Sequence, residues 1–246
     1  MNRLFEQLFR PGWCAIWMVA FVGCSPAQFT TLTIYETPQS FVRLEVDRTL
    51  EQGAGHSHPS DISPEQMATV LRGISVQEPL TRLPFYDDLS VPRRHPAFSE
   101  SDIVFWAPLL SQALHKATPA ELATFYQSTK RSGTTRDVTS GGLFVEGKEL
   151  HLILSNLRSE THYTADIGSA DTPDDRLTPM RSIAPQRGRL LFVPESALVT
   201  KSPEKLARLF QEDRRELIIL YQTLRPQPTD SHSEHGEQSP ESPRPR

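Results

Sequence analysis

Residues 141–156 place the strongest constraint on what this chain can fold into. Leu143 and Val145 precede Gly147-Lys148, and Leu150, Leu152 and Leu154 follow it at alternate positions. A period of two sets these side chains on one face of extended chain. Gly147-Lys148 suits a two-residue turn of the kind that begins with glycine. The turn then pairs Val145 with Leu150 and Leu143 with Leu152, and it sets Phe144 opposite His151 on the other face. By the same alternation, that second face is expected to meet solvent.

A second hairpin is expected earlier. Leu32 and Ile34 alternate with Thr31, Thr33 and Tyr35, Thr37-Pro38-Gln39-Ser40 turns the chain, and Val42, Leu44 and Val46 alternate with Phe41, Arg43, Glu45 and Asp47. This pattern predicts one face in the core and one in water. Ser63 and Gln66 have capping-box spacing with Pro64 at the first helical position, so a helix starts there and closes at Gly73. Ile74 and Val76 predict a short strand. Ser99 and Asp102 cap a second helix through Ile103, Trp106, Leu110 and Leu114, which Pro108 should kink. Thr118-Pro119-Ala120-Glu121 repeats the capping pattern and predicts another helix carrying Leu122, Phe125 and Tyr126. Residues 157–188 hold no convincing helix or strand, and Arg189-Leu190-Leu191-Phe192-Val193 reads as a strand that Pro194 ends. A last helix is expected from Ser202-Pro203, with Leu206, Leu209, Phe210, Leu217, Leu220, Tyr221 and Leu224 as its apolar stripe. Together these elements predict an α+β fold, an antiparallel sheet packed against three or four helices with long proline-rich loops.

The first residues have a different character. Arg3 and Arg10 precede an apolar run, Trp13-Cys14-Ala15-Ile16-Trp17-Met18-Val19-Ala20-Phe21-Val22, that ends at Gly23-Cys24-Ser25-Pro26. The run is about half of the ~20 residues that a membrane-crossing helix needs, and it has the layout of an export signal. At Phe21-Val22-Gly23-Cys24 the chain resembles bacterial lipoproteins. The resemblance implies cleavage before Cys24 and lipid on that cysteine. It also implies stable attachment, because two or more acyl chains hold a protein durably where one does not. Ser25 after the cysteine, where an aspartate could stand, implies the outer membrane. The competing reading is an uncleaved N-terminal anchor, or a buried apolar helix with an incidental cysteine. The expected organisation is a signal peptide over 1–23, one globular domain over 24–225 and a disordered tail over 226–246. The tail offers no large apolar residue to offset the entropy of ordering.

Composition narrows the partners. The chain has two cysteines, and Cys14 leaves with the signal, so the exported domain folds without an internal disulfide. The 26 basic and 30 acidic residues include Arg3, Arg10 and Glu6 of the signal, which leaves a mature net charge of about −5. That balance excludes nucleic acid as a main partner, since phosphate binding needs a concentrated basic surface.

Three clusters could carry chemistry. His56-Ser57-His58 with Asp61 has donors that suit zinc or copper, against the plainer reading of exposed loop histidines. Asp166, Asp171, Asp174 and Asp175 could attract calcium, but they lack EF-hand spacing and read better as a solvated acidic loop. Ser140 in Thr139-Ser140-Gly141-Gly142 lacks a nucleophile elbow, and the glycines suit a strand start or a bulge. No phosphate loop or dinucleotide fingerprint is present. Cys24 as lipidation site is thus the one site residue expected, with no cofactor and no metal. The expected function is a non-catalytic envelope lipoprotein that binds another envelope component. An envelope-acting hydrolase and a small-ligand carrier are the alternatives.

Overall fold

Among the described residues, β-strands hold more of the chain than α-helices do. In the computed structural model, residues 29–51, 53–79, 92–162, 175–199 and 215–224 are described. The two expected hairpins form. β1 (Thr30–Glu36) pairs with β2 (Ser40–Val46) through a turn in which the Ser40 amide donates to Thr37 Oγ1 at 2.9 Å. β6 (Thr135–Glu146) pairs with β7 (Glu149–His162), with Leu143 opposite Leu152, Val145 opposite Leu150 and Phe144 opposite His151. β5 (Glu121–Ser132) lies between β2 and β6, and β9 (Glu216–Ile219) pairs with β7. The result is a six-stranded sheet in the order β1-β2-β5-β6-β7-β9, antiparallel at every pairing.

Two helices form a layer on one face of this sheet, the second in contact with its strands and the first packed against the second. In α1 (Pro64–Gly73), Ser63 and Gln66 make the reciprocal capping bonds read from the sequence, and in α2 (Glu100–Lys116) Ser99 and Asp102 do the same. Pro108 sits inside α2 without ending it. The carbonyl that a proline deprives of its usual partner lies four residues back, at the exposed Val104. Trp106 of α2 is buried with its ring centroid 5.7 Å from that of Phe125, and Val42, Leu44, Leu143, Leu150, Leu152 and Leu154 complete the facing layer. Burying each such side chain is worth roughly 1.5–3 kcal/mol. β3 (Ile74–Gln77) leaves α1 directly and is the centre of a small antiparallel sheet, between β4 (Arg94–Pro96) and β8 (Arg189–Phe192).

The fold is mostly β, which corrects the expected α+β class with three or four helices. Among the described residues there are two α-helices. The capping pattern at Thr118 is real but closes a turn. Glu121 accepts from the Thr118 amide and hydroxyl, both at 2.8 Å, and β5 follows at once. The period was hidden because both faces of β5 are buried. Ala123 and Phe125 turn to the helices, while Leu122, Thr124 and Tyr126 turn to the opposite face. A run that is apolar at both parities reads equally well as helix or strand. Of the expected last helix, residues 200–214 lie outside the described residues. Leu217 belongs to β9, and Tyr221–Thr223 is a 3-10 turn. β7 also runs to His162, into a stretch where no strand was expected.

The sheet's second face is covered as well, and this corrects the expectation that it meets water. Residues 175–188 cross it. Met180 packs on Leu122, Phe144 and Ile153, and Ile183 packs on Phe41, Tyr126 and Val138. A bulge helps to hold this cover. Ser140 pairs with Asn156 but Gly141 with Leu154, so the extra residue brings Asn156 round to the covered face. There its side chain donates to Arg181 O at 2.7 Å and to Ser140 Oγ at 2.9 Å, and it accepts from the Ile183 amide at 2.9 Å. Gly141 is required at the bulge, since a Cβ there would lie 2.0 Å from Ile153 O.

Candidate functional site

The covered face gathers the side chains with chemical potential at one end of the sheet. Residues 54–60 reach it through backbone bonds. The His56 amide donates to Pro119 O at 2.8 Å, the Ser57 amide donates to Val145 O at 2.7 Å, and Ser57 Oγ accepts from the Gly147 amide at 2.7 Å. This route lays His56 on the Phe144 ring, with centroids 4.3 Å apart, and Phe144 stacks in turn on His151 at 4.5 Å. His58 meets His56 edge-on at 5.7 Å. Four rings therefore stand in a row across the end of β6 and β7.

Each imidazole of the row is tied to the fold. His56 Nε2 is 3.0 Å from Asp47 Oδ2. Burial alone would raise the Asp47 carboxyl, but the bonds from His56 and Thr49 outweigh it and hold the group at about 2. His58 Nε2 accepts from the Val145 amide at 3.4 Å. Burial, helped by the neighbouring His56, pushes His58 down to about 4, so it is neutral at ordinary pH and can act as that acceptor. His151 Nδ1 is 2.6 Å from Glu216 Oε1, and its Nε2 is 3.5 Å from Glu146 and 3.8 Å from Glu149.

His56 and His58 are thus buried side chains and not exposed loop histidines. Asp61, a nearby donor in the sequence, lies 2.6 Å from His115. Among the described residues, no three His, Cys, Asp or Glu side chains are placed to hold a metal ion. His151, expected on a solvent face, is only 3 % exposed.

Asp175 is built into the fold instead of lying in a solvated acidic loop. It accepts from Tyr126 Oη at 3.1 Å and pairs with Arg136 at 3.0 Å, and Arg136 also donates to Tyr126 Oη at 2.5 Å. Burial and the adjacent carboxylate raise the Tyr126 phenol to about 12. Arg176 donates to the carbonyls of Thr37 and Pro38 and lies over the Phe41 and Tyr126 rings, so the start of the covering segment is clamped to the first hairpin. Asp166, Asp171 and Asp174 lie outside the described residues, as does Cys24. Ser140 Oγ donates to Pro179 O at 2.7 Å and accepts from Asn156, which makes it a strut of the cover.

The sequence reading missed Glu45. Its place on β2 looked like a solvent position, yet it is 2 % exposed, and Oε2 has no hydrogen-bond partner. Burial raises its carboxyl to about 7 against the lowering effects of Thr124 and Arg43. The signal available in the sequence was the parity shared with Phe41, an aromatic residue on the supposedly wet face. Among the described residues, no helix is long and apolar enough to cross a membrane.

No protein-family model matches the chain, and comparison with curated proteins and with solved structures also finds no match.

Proposed function

We propose that this chain is a bacterial envelope lipoprotein, acylated on Cys24 and held at the outer membrane, whose folded domain binds another envelope component without catalysing a reaction. The order of basic start, short apolar run, Gly23 and Cys24 supports the anchor. One observation carries the non-catalytic part. The polar side chains gathered on the covered face are engaged with one another and with backbone groups, in the pairs Asp47–His56, His58–Val145, His151–Glu216 and Arg136–Asp175. Asp47–His56 and His58–Val145 fasten residues 54–60 onto the sheet and Arg136–Asp175 fastens residues 175–188, while His56 Nδ1, His58 Nδ1 and His151 Nε2 make no hydrogen bond. In-cell photo-crosslinking from the exposed apolar positions Val104 and Leu177 is expected to give a discrete adduct with one envelope component. Failure of every such position to give a discrete adduct would contradict a binding role.

Glu45 favours a second reading, an envelope-acting hydrolase. A carboxyl held near 7 has the proton affinity of a general acid or base at working pH. Hydrolysis of envelope polymer by the purified protein, abolished in Glu45→Gln, would replace the binding role with this one.

A further inference from the structure

We propose that the end of the sheet bearing Phe29 and Arg48 rests on the lipid headgroup layer of the membrane that carries the anchor. This inference depends on the acylation of Cys24 proposed above. Phe29 stands five residues after Cys24. Even fully extended, five residues span at most about 18 Å. Phe29 is also fixed to the sheet, because its carbonyl accepts from the Val46 amide at 3.3 Å. A lipid-bearing Cys24 therefore holds this end of the domain within that distance of the bilayer.

The side chains at this end suit that position. Phe29 is 65 % exposed, and the Arg48 guanidinium lies over its ring at 4.9 Å from the centroid. An aromatic ring with a guanidinium above it matches the boundary between acyl chains and phosphates, with the ring placed toward the chains and the cation toward the headgroups. The Glu146–Glu149 turn, with Lys148 at its tip, stands at the same end of the sheet as the start of β1 and the end of β2. A single exposed aromatic residue is ordinary on a soluble surface. Here the short tether changes the case, because it keeps the ring at an effective concentration near the lipid that makes even a weak contact populated. The opposite end carries the turn of the first hairpin with Arg176 bound to it, and the neighbouring Leu177 is exposed at 63 %. β1 alone separates the two ends by about 20 Å at the usual rise per strand residue.

The full lipoprotein, purified with its anchor and reconstituted in phosphatidylcholine vesicles, provides the test. Of the three tryptophans, Trp13 and Trp17 leave with the signal and Trp106 is buried. Phe29→Trp and Leu177→Trp each add one exposed reporter. Phosphatidylcholine brominated on its acyl chains is expected to quench the Phe29→Trp reporter at least twofold more than the Leu177→Trp reporter. Adding Arg48→Glu should reduce that quenching. Equal quenching of the two reporters, or none of either on protein whose intact mass shows the acyl chains, overturns the contact while leaving the anchor in place. An unmodified Cys24 in the intact mass would instead overturn the acylation on which the inference depends.

Discussion

His56 is held from two sides, with its ring 4.3 Å from Phe144 and its Nε2 3.0 Å from Asp47. The pair joins the loop of residues 54–60 to the end of β2, and its strength depends on the Asp47 charge. The Asp47 carboxyl is held at about 2, below its ordinary value of 3.8. The stability it contributes is therefore present above pH 4 and is lost as pH falls toward 2. Asp47→Asn should lower unfolding stability at pH 7 by about 1–2 kcal/mol. Wild type and variant should converge near pH 2. A constant gap from pH 7 to pH 2 in denaturant unfolding would show that the charge is not what His56 uses.

Glu45 should act with the opposite sign. Its carboxyl is raised from 4.5 to about 7, so between those values the folded state holds the proton more tightly than the unfolded chain. Stability from this group is full below pH 4.5 and falls as pH rises through 7. Glu45→Gln removes that dependence. Relative to wild type, the variant should gain on the order of 3 kcal/mol between pH 4.5 and pH 8, whatever fixed cost the buried amide adds. Parallel stability curves for the two proteins would place the Glu45 carboxyl in contact with solvent.

The bulge glycine and its neighbour should differ sharply. A Cβ at Gly141 meets the Ile153 carbonyl, backbone that cannot move without breaking the β6–β7 ladder. A Cβ at Gly142 meets the Met180 sulfur at 2.6 Å, the end of a flexible side chain. Gly141→Ala should cost at least about 3 kcal/mol or fail to fold, and Gly142→Ala about 1–2 kcal/mol. Chemical denaturation of both variants measures the difference, and equal costs would count against the bulge as placed.

Leu152 and His151 are neighbours on opposite faces, and both should matter. Leu152 is fully buried against the helix layer, so Leu152→Ala should cost about 2–5 kcal/mol. His151→Ala loses the stacking on Phe144 and leaves Glu216 without its 2.6 Å partner, at about 1–3 kcal/mol. A near-zero cost at His151 would restore the one-sided sheet that alternation alone suggests.

These residues also mark how far the sequence could be read. Pairing of Leu143 with Leu152, and both capping boxes that start α1 and α2, were legible because each follows from bonds within a few residues. The cover on the second face was not. It depends on Asn156 meeting residues 181 and 183 and on Asp175 meeting Tyr126 and Arg136, contacts between segments 25 to 49 residues apart. Once that cover is present, Leu122 and Phe125 are both buried on opposite faces of β5. The alternation that would have identified the strand disappears for the same physical reason. His56 and His58 were picked out by type, but nothing local to Gly55-His56-Ser57-His58-Pro59 revealed that Val145 and Pro119 would draw the loop inward.

The proposed lipid attachment at Cys24 underlies both the proposed role and the proposed membrane contact, and growth with radiolabelled palmitate tests it most directly. Wild-type protein should carry the label and run as a form shortened by the leader. Cys24→Ala should carry none and retain residues 1–23. Equal labelling of wild type and Cys24→Ala, or a wild-type protein that takes up no label, would contradict the lipoprotein assignment.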